Sequence, residues 1–95
     1  MTELRKKAID TCNKALEVLI AAYAVVETQM INATGEEYEA LMQQRRKIAR
    51  TGATVDTVLA WAGNEMAKEG LVKMGLDILL NEMKELGFDM EGAKK

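Results

Sequence analysis

The chain has 95 residues, 48% of them apolar but only 4% aromatic, with a net charge of −2, no proline and no histidine. That is one domain with an aliphatic core. It has few β-branched runs to build a sheet, no global charge to attract nucleic acid or anionic membrane, and none of the residue that serves most often as general base.

Charge is unevenly spread. Residues 1–50 carry 8 basic and 7 acidic groups, residues 51–95 carry 5 and 8. Cys12 stands alone, which excludes an intrachain disulfide and fits a reducing compartment. Arg5, Lys6 and Lys7 followed by an apolar run resemble a signal peptide in outline. Asp10 and Glu17 interrupt that run, and no small-residue cleavage site follows. The run is also shorter than the ~20 residues of a membrane span. The expectation is a cytoplasmic protein without a membrane partner.

The first predicted helix covers residues 2–32, with Thr2 as N-cap. Leu4, Ala8, Cys12, Ala15, Leu19, Tyr23, Val26 and Met30 recur at gaps of three and four, the helical signature. Of residues 15–26 only Glu17 is polar, so this stretch is expected to be covered from several sides. A helix of about 30 residues is ~45 Å long, against a radius of gyration of ~12 Å for a compact domain of this size. It must span an elongated bundle, break, or extend into another subunit. Its outer face begins polar, with Asp10, Asn13, Lys14 and Glu17, and then turns small. Leu19, Ala21, Ala24 and Thr28 are the expected self-association residues.

Thr34, Gly35, Glu36 and Glu37 read as a capping box, opening a second helix over 35–50. Its acids come first and Arg45, Arg46, Lys47 and Arg50 come last, in the order that suits the helix dipole. Those four cations are the candidate contact to a partner or to nucleic acid. Gly52 reads as a helix stop. A third helix over 54–69 carries Val55, Val58, Leu59, Ala62 and Met66, and a fourth over 71–87 carries Val72, Leu76, Leu79, Leu80, Met83 and Leu86. Gly70 is either a stop or a kink between them. Gly87 before Phe88 predicts a Schellman ending, and residues 88–95 are expected to form a loose tail. Trp61, Met66, Met74 and Met83 are the candidate hydrophobic groove, because flexible thioethers suit adaptable binding surfaces.

Candidate chemistry is sparse. Cys12 lacks an activating histidine and lies on the apolar stripe. Glu36 and Glu39 form an E-x-x-E pair of a spacing that could hold magnesium. It resembles the pair of all-α nucleotide pyrophosphohydrolases of the MazG kind, but no E-x-x-D follows. Residues 48–58, with G-x-T-V-x-T-V from Gly52, loosely resemble the helix-turn-helix of repressors of the lactose-repressor kind. That resemblance implies a DNA-binding regulator using residues 36–69. The would-be recognition helix is acidic, however, with Asp56, Glu65 and Glu69 against Lys68. Trp61, Ala62 and Gly63 match the W-x-G turn of small secreted helical-hairpin proteins, in that motif alone.

The sequence thus predicts an all-α fold. It is a single-domain bundle of three or four helices over 1–95, built on a long N-terminal helix and paired with a second copy. The function read from it is a non-enzymatic protein-binding module acting through a helix face, such as an adaptor, a chaperone-like factor or an inhibitor. No catalytic residue, metal or cofactor is expected. The alternatives are the DNA-binding regulator and the metal-dependent pyrophosphohydrolase.

Overall fold

The computed structural model describes residues 1–90, and within them the protein is all-helical. It has three helices: α1 over Glu3–Met30, α2 over Gly35–Gly63 and α3 over Glu69–Glu85. The molecule measures 48 × 30 × 16 Å with a radius of gyration of 15.0 Å. The long first helix therefore runs along an elongated bundle without breaking.

α1 starts where its cap dictates: the Thr2 hydroxyl accepts from the Arg5 amide at 3.2 Å. The capping box expected at Thr34 does not form, since Thr34 makes no side-chain cap bond. Gly35 takes φ +59 there, a left-handed conformation open to glycine at little cost.

α1 and α2 pack antiparallel on a seven-residue repeat. Arg5, Cys12, Leu19 and Val26 of α1 occupy one position of it. Leu41, Ile48, Val55 and Ala62 of α2 occupy the matching one. The register is fixed where the Cys12 thiol sits 3.8 Å from the Val55 carbonyl oxygen. It is fixed again where Arg5 meets the Ala62 carbonyl at 3.1 Å. Ala8, Cys12 and Ala15 are fully buried, and their small size lets the two helices approach closely.

That repeat explains a correction. The two helices expected over 35–50 and 54–69 are one helix, α2. Gly52 lies inside it, and the apolar rail from Ile48 through Val55 to Ala62 runs unbroken past the glycine. Burial of that rail outweighs the ~1 kcal/mol propensity cost of an internal glycine. The real break falls at residues 64–68, ahead of Gly70. There the Asn64 side chain accepts from the Met66 amide at 2.9 Å, a local turn that competes with helix.

α3 returns antiparallel along the C-terminal half of α2, and the Thr54 hydroxyl donates to Glu82 at 2.8 Å. Val72, Leu76, Leu79 and Met83 form its buried stripe. Its end is the expected Schellman motif. Phe88 donates to the Met83 carbonyl and Gly87 to that of Lys84, both at 2.9 Å, with Gly87 at φ +96. Phe88 and Met90 pack against the core, so the expected loose tail does not begin at 88. Its remainder, residues 91–95, lies outside the described residues.

α3 is 17 residues long against 29 for α2, so it covers only about half of the α1–α2 hairpin. The sequence follows suit. Along α2 the repeat position next to the rail holds buried Val58 and Thr51, then exposed Gln44 and Glu37. Polar side chains take over where no third helix excludes water.

Candidate functional site

The turn between α2 and α3 is held by Arg5. Its Nη1 donates to the carbonyls of Trp61 at 3.0 Å, Ala62 at 3.1 Å and Asn64 at 2.9 Å. Its Nη2 donates to the Ala67 carbonyl and its Nε to Glu69. Two of those acceptors belong to the last turn of α2, whose carbonyls have no partner within the helix. α2 has no basic residue in that turn, and Arg5 supplies the cation that its dipole favours there. The Thr2 hydroxyl donates to Glu69 at 2.9 Å. The hydrogen bond from Thr2, with the Arg5 guanidinium beside it, holds the Glu69 carboxyl below the usual range.

This clamp fixes how α3 leaves α2, and a notch fixes how closely it returns. Gly75 is buried against Trp61 and Val58, where a Cβ would lie 3.0 Å from the indole ring and from Val58 Cγ2. The close approach sets Trp61 in the floor of a shallow, mostly apolar groove. Thr54, Thr57 and Val58 of α2 and Ile78 of α3 line it, with Arg50 at its rim. Beside it Met66, Ala67, Leu71 and Met74 form a second apolar surface around the start of α3. Ile78 is 43%, Met74 50% and Met66 89% exposed.

Of the predicted groove residues, Trp61, Met66 and Met74 thus border one side of the molecule. Met83 does not. It is fully buried in the core, because it continues the inward stripe of α3. Of the predicted cations, Arg45 is half-buried and paired with Glu27 at 3.0 Å, leaving Arg46, Lys47 and Arg50 exposed. Only Arg50 adjoins the groove. Of the predicted self-association residues, Ala21, Ala24 and Thr28 are exposed, whereas Leu19 is buried within its own chain. The stretch 15–26 is therefore not shielded all round as expected, because Ala21, Ala24 and Thr28 continue the exposed face of Asp10, Asn13, Lys14 and Glu17, which neither α2 nor α3 covers.

The other candidate groups are accounted for by packing and position. Burial pushes the Cys12 thiol up from 9.0 to about 11, the opposite of what a nucleophile needs. Glu36 and Glu39 are exposed in the first turns of α2, where acids suit the helix dipole. The turn that a helix-turn-helix would need at Gly52 is replaced by continuous helix, and Trp61, Ala62 and Gly63 form the last turn of α2, ahead of the turn into α3.

Sequence reasoning missed Arg5, read only as part of a basic start, and Gly75 and Ile78. A cation at a core position of the seven-residue repeat was the available signal for Arg5. Compared with known protein families, curated proteins and solved structures, the chain matches none of them.

Proposed function

We propose that this protein is a non-enzymatic binding module that docks an apolar segment of another protein on the α2–α3 face. The observation that carries this reading is the exposure of Met74 and Ile78 beside the Trp61 floor, on a pair of helices whose own inward stripe is fully buried. A large aromatic in a groove rimmed by flexible aliphatic groups is the usual composition of a binding hot spot. Arg50 at the rim, with no ion-pair partner among the described residues, favours an occupant that carries a carboxylate beside its apolar anchors. An amphipathic helix with such a pattern fits this face.

The test is differential capture from native cells by the wild-type protein and by a Met74→Glu, Ile78→Glu double variant, read by quantitative mass spectrometry. Both altered residues are exposed, so the variant keeps its helix content. At least one protein captured by the wild type falls tenfold or more with the variant. Identical capture profiles, or no capture by the wild type, overturn the proposal.

A further inference from the structure

The face beside Trp61 does not stop where α3 stops. Ala53, Thr54 and Thr57 of α2 line the groove, and each has a cation one seven-residue repeat earlier, namely Arg46, Lys47 and Arg50. Two helical turns, ~10 Å along the axis, therefore carry one face of α2 from small and hydroxyl groups into a basic strip. All three cations are exposed, and none has an ion-pair partner among the described residues. Thr54 donates to Glu82 and α3 ends at Glu85, so α3 stops about level with Arg50, and Arg46 and Lys47 lie past its end. The carboxylates of α3 at this end are Glu82, which already accepts from Thr54, and Glu85.

The opposite end of the face is apolar and electrically balanced. Met66 and Met74 stand exposed there. Glu65 and Lys68 are opposite in sign, Glu69 is paired with Arg5, and Lys73 with Asp77.

We infer that the segment docking here is an amphipathic helix with its carboxylates gathered at one end, over Arg46, Lys47 and Arg50, and its apolar anchors at the other, on Trp61 and Met74. This rests on the docking reading above and adds the partner's charge pattern and direction. From Trp61 back to Arg50 is ~16 Å along α2 and to Arg46 ~22 Å, so the partner's acids stand about three to four turns from its anchor over Trp61. Exposed charge pairs contribute little affinity but suppress wrong partners and wrong registers. Burial beside Trp61 thus supplies the strength, and the basic strip selects the partner and orients it. A nucleic acid needs cations along its whole track, whereas this strip gives way to an apolar floor.

The test is a phage-displayed library of helical peptides of about 18 residues, selected on the full chain, with the best peptide then measured by fluorescence anisotropy. The selected peptides are acidic at one end and apolar at the other. An Arg46→Glu, Arg50→Glu double variant, with unchanged helix content, weakens binding about tenfold or more, because like charges now face each other. Replacing the peptide's own acids with lysine restores binding to that variant. Peptides selected without an acidic end, or equal binding to the wild type and the double variant, overturn this inference, and the docking reading stands if Ile78→Glu still weakens binding. A peptide indifferent to Ile78→Glu, or a library that yields none, overturns both. A short DNA duplex that binds the wild type, loses binding in the double variant and is untouched by Ile78→Glu assigns the strip to phosphate and overturns the inference too.

Discussion

Arg5, in the first turn of α1, is ion-paired with Glu69, the first residue of α3. The same guanidinium holds carbonyls on both sides of the turn between α2 and α3. The start of α1 is thereby tied to the junction of α2 and α3 through one side chain. Arg5→Ala removes the donors of the Ala62 and Ala67 carbonyls, while those of Trp61 and Asn64 keep the Asn64 and Ala67 amides, and is expected to cost about 3 kcal/mol in urea unfolding. Arg5→Lys recovers only part of this, since an ammonium cannot reproduce the planar fork. Glu69→Gln, at the exposed end of the pair, costs much less than Arg5→Ala. A larger effect at Glu69 than at Arg5 would contradict the clamp.

Two glycines respond in opposite directions to alanine. At Gly52 a Cβ meets nothing within 4 Å, and the residue is inside α2, so Gly52→Ala stabilises by up to about 1 kcal/mol. At Gly75 the same Cβ presses on Trp61 and Val58, and overpacking of about 1–3 kcal/mol outweighs the gain in helix propensity. Thermal melts of the two variants read both signs. Destabilisation by Gly52→Ala would mean that α2 ends there after all.

That pair also shows how much was legible in the residues. The all-α class, the limits of α1 and the Schellman ending at Gly87 follow from local rules of periodicity and capping. The continuity of α2 does not. A glycine after a basic run reads locally as a stop, and only burial of Val55 and Ala62 against α1 decides otherwise. Half of the candidate groove was visible as Trp61, Met66 and Met74. Ile78 and the Gly75 notch depend on which way α3 faces α2, a tertiary fact. The role of Arg5 depends on carbonyls more than fifty residues away. The misplacement of Met83 has the same origin, because a methionine on a stripe gives no sign of whether a groove or a core lies beneath it.

The buried thiol makes stability fall at high pH. Cys12 titrates near 9.0 when unfolded and near 11 in the folded chain. A pKa raised by folding leaves stability intact below 9 and erodes it as pH climbs toward 11, by about 2 kcal/mol at the upper end. Cys12→Ala flattens that slope. Urea titrations at several pH values show it, and an equal slope in the variant would place the thiol outside the core.

Position decides the cost of a charge change. Leu19→Asp puts a carboxylate into the chain's own core and is expected to cost more than about 3 kcal/mol, unfolding the monomer itself. Arg46→Ala, on an exposed face, stays within about 0.5 kcal/mol. Circular dichroism in denaturant separates them, and comparable losses would contradict the observed facing of α1 and α2.

The proposed function rests on the surface beside Trp61. The most direct measurement is the affinity of a captured partner for the wild type, for Ile78→Glu and for Ile20→Glu, by titration calorimetry. Ile78→Glu weakens binding at least tenfold and Ile20→Glu leaves it unchanged. Equal losses in the two variants, or none in either, would contradict a docking face built from α2 and α3.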